Sequence, residues 1–228
     1  MAKKPSKGGA PVLDMTPMVD LAFLLVTFFM LTSSFRSPEP ISVDPPSSIG
    51  NVDLPDNHIL VTIDEEGRTF FGISNSTAKM AALREMSAKY KVDFTEQQFT
   101  KFTGLSSFGV DIKDLPRYID ATDDQRQKFQ PMKGIPMDTI IPNNQLKDWI
   151  AIGGKKAVET YNEAKKEAQE ANREFRAEKP RYAIKAAAST KYANVKDVVK
   201  NFTDLKIYQF NLITTLEGTG TVISPGKE

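Results

Sequence analysis

One carboxylate in this sequence stands where charged residues are rarely tolerated. Asp20 lies in the apolar run Met18–Phe35, 18 residues in which no other side chain is charged. An ionised carboxylate in hydrocarbon costs several kcal/mol, so such residues usually face a partner or a water-filled path. Because burial favours the neutral acid, Asp20 is a candidate for a group that gains and loses a proton. The alternative is that Asp20 lies at headgroup level and stabilises a helix N-terminus.

Polar side chains recur along the same run at a helical spacing. Asp20, Thr27 and Ser34 are seven residues apart, which places all three on one face of a helix. A lone helix in lipid would leave these groups without partners. The spacing therefore predicts that this face packs against other helices, either a second copy or a larger partner bundle.

The sequence gives little support for disulfide formation, metal binding or enzymatic catalysis. There is no cysteine, which excludes disulfides, thiolate catalysis and cysteine-built zinc sites. The single histidine, His58, has no ligand partners at metal spacing. Nucleotide-binding and hydrolase motifs are absent, and no pair of carboxylates is placed for acid and base work. We therefore expect no catalytic residue, no metal, no cofactor and no enzymatic activity.

The charge balance also limits the possible partners. Lysine and arginine total 30 against 29 acidic residues, so the chain has no surplus of positive charge for a phosphate backbone. Nucleic acid is not an expected partner. With 40% hydrophobic and 26% charged residues, membrane character must be confined to a short segment.

The run that carries Asp20 has the length of a membrane span. A helix of 18 residues rises roughly 27 Å, close to the bilayer hydrocarbon thickness. Thr16 can cap this helix, with Pro17 at its first position. Lysines at 3, 4 and 7 precede the run and predict a cytoplasmic N-terminus, so the rest of the chain is exported. A cleaved signal peptide is the alternative, but the internal acid and the lack of an A-x-A-like site after Leu31 argue against it.

The segment Thr16-Pro17-Met18-Val19-Asp20, with a short basic tail before it and an apolar stretch after it, resembles the signature of the ExbD/TolR family. The resemblance implies that Asp20 is the proton-carrying residue of a motor in the bacterial inner membrane. It also implies an ExbB-like or TolQ-like channel protein as partner, a homodimer within a hetero-oligomeric ring, and a TonB-like rod protein that receives the motion.

A proline-rich stretch follows the run. Residues 37–57 hold five prolines, a composition typical of an extended tether. Within it, Val52, Asp53, Leu54 and Pro55 resemble the family's V-x-L-P stretch, which implies a partner-binding segment that can add to a strand. An ordinary loop rich in Asp and Pro is an open alternative.

The remaining pattern predicts an α+β domain. Alternation at Ile59, Val61 and Ile63 with a turn at 64–67 indicates a hairpin. Near the end of the chain, a strand at 181–185, an amphipathic helix around 195–205 and a strand at 208–212 follow. This order resembles the small periplasmic domain of the family, best from Tyr182 to Ile213. One departure is that Lys185-Ala186-Ala187 lacks the family's acidic residue.

The hairpin and the second part of this domain are separated by a long segment, 75–179. Capping-box patterns at Thr95 with Gln98 and Thr122 with Gln125 predict short helices there. A long helix is predicted over Lys155–Glu178, with a narrow apolar seam suited to packing on the domain body or, alternatively, in a coiled-coil dimer. Four phenylalanines are expected to form local core: Phe94, Phe99, Phe102 and Phe108.

The sequence thus predicts an α+β protein with one transmembrane helix and a periplasmic domain that carries a mainly helical insertion. The predicted segments are a cytoplasmic tail (1–15), a transmembrane helix (16–36), an extended linker (37–57), a first hairpin (58–74), the insertion (75–179), a strand–helix–strand remainder (180–216) and a flexible tail (217–228). By resemblance, the function is that of an ExbD-like motor subunit energising TonB-dependent outer-membrane transport. A TolR-like role in envelope integrity and a non-motor, membrane-tethered scaffold are the alternatives.

Overall fold

The computed structural model describes residues 16–32, 47–48, 56–129, 132–137, 144–213 and 215–216. The chain divides into two compact units, Met1–Arg36 and Ser37–Glu228. The first contains helix α1, Thr16–Thr32. This helix begins at Thr16, as in the predicted span 16–36, and Pro17 is its second residue instead of its first. The missing N–H of Pro17 still costs nothing there, because the first four amides of a helix have no partner within it.

The second unit combines strands and helices. Its described elements are β1 (Ser47–Ser48), β2 (His58–Ile63), β3 (Thr69–Ile73), α2 (Ser76–Tyr90), α3 (Glu96–Thr103), α4 (Leu115–Asp120), α5 (Asp123–Gln127), α6 (Gln145–Glu170), β4 (Arg181–Ala186), α7 (Tyr192–Asp204), β5 (Phe210–Ile213) and β6 (Thr215–Leu216).

A four-stranded sheet with the order β3-β2-β4-β5 organises this unit. β2 and β3 form the predicted antiparallel hairpin, with Val61 opposite Phe71. β4 lies parallel to β2, with Ile184 opposite Val61, and β5 lies parallel to β4. A separate short parallel pair joins β1 to β6. The α+β prediction is confirmed, and so is the order of hairpin, helices, strand, helix and strand.

The central strand β2 is buried along almost its whole length, which suits its apolar sequence HILVTI. Its residues Ile59, Val61 and Ile63 share one core with Leu83 of α2 and Trp149 of α6. The helical segment between β3 and β4 is therefore packed onto the sheet through a common core.

Both capping boxes form at their predicted positions. The Thr95 hydroxyl accepts from the Gln98 amide at 3.2 Å, and the Gln98 side chain accepts from the Thr95 amide at 2.9 Å. At the second box the Thr122 amide donates to the Gln125 side chain at 3.0 Å, and α5 begins at the next residue. Of the four phenylalanines expected in local core, three are buried (Phe99, Phe102 and Phe108), and Phe94 is packed against the core.

The long helix differs from its prediction at both ends. α6 runs from Gln145 to Glu170 instead of Lys155 to Glu178, and the Asn144 side chain caps it by accepting from the Lys147 amide at 3.0 Å. Its earlier start follows from burial of an apolar first half. It ends early because Asn172 turns the backbone into the left-handed region, at φ 50°.

The apolar seam of α6 contacts the domain body only at its start. Ala157 is buried, whereas Ala164 is exposed. Tyr161 packs against Phe175, which returns from the segment after the helix, with ring centroids 5.3 Å apart. The prediction for the last strand also needs correction, because β5 begins at Phe210 and Tyr208 is a 71% exposed loop residue.

Candidate functional site

Asp20 is the single charged residue of helix α1. It is the fifth helical residue and lies about 6 Å along the axis from Thr16. Its side chain is exposed. The helix dipole acts mainly within the first turn, so this position gives Asp20 little stabilisation from the N-terminus. The position favours a carboxylate that needs another partner over one that serves as a capping charge.

The surroundings of Asp20 on the helix are apolar all round. Eleven large apolar side chains of α1, from Met18 to Leu31, are 53–87% exposed within the chain. Large apolar side chains that are exposed in such number need cover from protein or lipid. No helix in the described part of the chain combines the length and the apolar character that crossing a membrane requires.

Thr27 lies seven residues after Asp20, on the same face and about 10 Å further along the axis. Its hydroxyl lies 2.8 Å from the Phe23 carbonyl and 3.0 Å from the Leu24 carbonyl, which can accept its proton. Thr27 therefore finds its partner inside its own helix, contrary to the expectation that all three polar groups need other helices. On the described part of this face, Asp20 is the polar group that still lacks a partner.

Several predicted site residues fall outside the described residues. Ser34, the third member of the polar face, is one of them. The predicted partner-binding stretch of Val52, Asp53, Leu54 and Pro55 is another. These predictions stay predictions.

His58 takes a structural place at the start of β2. Its backbone amide donates to the Ser74 hydroxyl at 2.8 Å, and its carbonyl accepts from the Ser74 amide at 3.0 Å. Within the described ranges, no group of three or more histidine, aspartate or glutamate residues is placed to hold a metal ion.

One buried lysine was not among the predicted site residues. Lys79 of α2 is only 6% exposed, and its ammonium group donates to the Thr103 carbonyl at 3.2 Å and to the Leu105 carbonyl. Burial lowers the pKa of Lys79 to about 8. Its position could have been found from spacing, because Lys79 lies three and four residues before Ala82 and Leu83, which line the buried face of α2.

The fold and this helix define a class of protein: an α+β domain preceded by an apolar helix with one aspartate. The family model described as "Biopolymer transport protein ExbD/TolR" matches residues 6–217. The chain therefore belongs to the ExbD/TolR family. No curated protein and no solved structure matches it.

Membership of this family carries general consequences. The family serves biopolymer transport as a subunit of an energising motor, and its members are transport accessory proteins without enzymatic activity. They generally work with ExbB or TolQ and with TonB or TolA partners. Membership also indicates anchoring in the inner membrane.

Proposed function

We propose that this chain is an ExbD-like subunit of a proton-driven inner-membrane motor that energises TonB-dependent outer-membrane transport. The observation that carries the proposal is Asp20, the one charge on a helix whose other described side chains are apolar except for Thr27. Thr27 is satisfied within the helix, which leaves Asp20 as the described group that requires a partner.

The first step of the proposal is that α1 anchors the chain in the membrane. Its support is the family match, the apolar run Met18–Phe35 and the exposure of the large apolar side chains of α1. The lysines that precede the run support a cytoplasmic N-terminus, and with it a periplasmic location for the domain after Ser37.

The second step concerns force. Inside an ExbB-like channel protein, Asp20 takes up a proton from one side and releases it to the other, so that its charge alternates. One charge that crosses 100 mV carries about 2.3 kcal/mol, and several such steps are enough to move a helix pair. A homodimer of this chain within the ring transmits the movement to a TonB-like rod protein.

Asp20→Asn tests the motor directly, because an amide keeps the shape of the side chain but cannot cycle a proton. In cells that depend on this chain, the variant should lose TonB-dependent uptake while its abundance in the membrane and its co-purification with the channel protein stay normal. Asp14→Asn, six residues earlier, is the matched control and should transport at the wild-type rate.

Two readouts separate the alternatives. Loss of uptake with an intact envelope supports the ExbD-like role, whereas detergent sensitivity and leakage of periplasmic protein would assign the TolR-like role. If Asp20→Asn leaves both uptake and envelope integrity normal, the chain works as a scaffold and the motor proposal fails.

A further inference from the structure

A groove opens at the amino-terminal ends of the neighbouring parallel strands β4 and β5, of which β5 is the last strand of the sheet. Its volume is about 910 Å³. The segment that leads into β4, the loop between α7 and β5, and α6 at Val158 all contribute to its lining. We call this site the basic groove, because Lys179, Arg181 and Lys206 line it.

The three cations of the basic groove have no carboxylate partner among the residues that the structure describes. No acidic residue is among the lining residues, and none of the three makes an ion pair with another described residue. Cations crowded around one recess repel each other, so their arrangement favours an anionic ligand.

The charge is concentrated in this part of the chain. Residues 179–213 contain seven lysines and arginines against two acids, Asp197 and Asp204, although the whole chain has a net charge of only +1. Asp204 is already bound, with its carboxylate 3.1 Å from the Lys147 ammonium. The excess of positive charge is therefore a property of the β4–α7–β5 region that the rest of the chain offsets.

Apolar and aromatic side chains lie between these cations. Tyr208 is 71% exposed and Val158 is 40% exposed, which is unusual for large side chains in this domain. Tyr182 and Phe210 are half-buried at the same groove. A ligand that combines carboxylates with apolar groups would cover both kinds of surface.

We propose that the basic groove binds an extended, acidic segment of a partner protein, with carboxylates that meet Lys179, Arg181 and Lys206 and apolar side chains that pack on Tyr208 and Val158. A recess between secondary-structure elements suits a polypeptide better than the flat surface of a bilayer. This proposal is independent of the proton-carrying role of Asp20, and Asp20→Asn should bind the same segment normally.

The test uses the full chain in a neutral detergent and a fluorescent peptide in which glutamates alternate with valines and prolines. A peptide of the same sequence with glutamine in place of glutamate is the control. We expect the acidic peptide to bind, with an affinity that falls as salt is added, and the glutamine peptide to bind at least about tenfold more weakly. Fluorescence anisotropy measures both.

Charge reversal locates the site. The double variant R181E/K206E should weaken binding of the acidic peptide by about tenfold or more. The matched double variant K191E/K196E makes the same change in net charge at the start of α7, outside the basic groove, and should stay within about twofold of the wild type. Circular dichroism checks that both variants keep the fold.

Three results would overturn the proposal. Equal loss in the two double variants would mean that only the overall charge matters. Binding to vesicles with phosphatidylglycerol that needs Arg181 and Lys206, without binding of the peptide, would make the groove a lipid site. Dimerisation of the chain that R181E/K206E abolishes, again without peptide binding, would make a second copy the occupant.

Discussion

Replacing Lys79 with methionine should remove a rise in stability that the wild-type chain shows above about pH 8. The ammonium group of Lys79 is buried against the carbonyls of Thr103 and Leu105 and forms no ion pair with a described carboxylate. Methionine has a similar length but no charge, so the variant keeps the packing and loses the titrating group.

The size of the effect follows from the pKa of Lys79, which burial lowers from 10.5 to about 8. Below about pH 8 the lysine is charged in both the folded and the unfolded state, so its contribution does not change with pH. Between about pH 8 and the unfolded pKa, the unfolded chain holds more protons than the folded one, and stability rises with pH. The full difference corresponds to about 3 kcal/mol, most of which should develop between roughly pH 7 and pH 10.

The single tryptophan gives a fluorescence signal with which this change in stability can be measured. Trp149 is fully buried and lies in the same region of the core as Lys79. Its fluorescence should therefore follow urea unfolding of this core in the full-length protein in detergent. The free energy of unfolding is measured across this pH range for the wild type and for Lys79→Met, and the difference between the two removes the contribution of tyrosines and other lysines.

Lys89→Met is the control, because Lys89 belongs to the same helix but its side chain is 49% exposed. The free energy of unfolding of Lys89→Met should depend on pH in the same way as that of the wild type. If the wild type and Lys79→Met instead give parallel curves from about pH 7 to pH 10, Lys79 does not carry a buried charge and the reasoning is refuted.

Three further changes test the packing of the domain by thermal or urea unfolding. Gly154→Ala should lower the free energy of unfolding by about 1–2 kcal/mol, because the new methyl group overlaps the Tyr182 hydroxyl. The loss should be smaller in the double variant that also carries Tyr182→Phe, which lacks this hydroxyl. Thr95→Ala should cost about 1 kcal/mol through loss of the capping box with Gln98. Phe202→Ala should cost about 3–5 kcal/mol, because the fully buried ring contacts the aromatic rings of both β4 and β5. An unchanged unfolding midpoint in any of these variants would contradict the stabilising role of the contact that the variant removes or disturbs.

The helix α6 shows why part of the fold could not be predicted from sequence. The Ala- and Glu-rich half gave a clear helical pattern, but Gly153 and Gly154 interrupt the earlier half and have poor helix propensity. In the structure these glycines let the helix approach the sheet, since a methyl group at Gly153 would lie 2.9 Å from the Phe71 ring. Tertiary packing outweighs propensity there, whereas caps and hairpin turns are local and could be predicted.

The two candidate sites, Asp20 and the basic groove, also differ in whether they could be predicted from sequence. Asp20 could be found from sequence because one charge in an apolar run stands out without any knowledge of the fold. The cations of the basic groove could not, because Lys179 and Arg181 are separated from Lys206 along the chain. The parallel pairing of β4 with β5, which places Tyr182 opposite Phe210, brings them to one recess.

The segment between β3 and β4 links the basic groove to the core of the domain. The first half of α6 is buried, with Trp149 packed against Phe71 of β3 at 5.8 Å between ring centroids. Val158, at the groove, follows the last fully buried residue of the helix, Ala157. Because interiors are close-packed, the buried first half of α6 holds Val158 in a fixed position at the groove. Deletion of residues 75–179 would therefore unfold the sheet, because β2 would lose its cover, and would not simply remove a peripheral module.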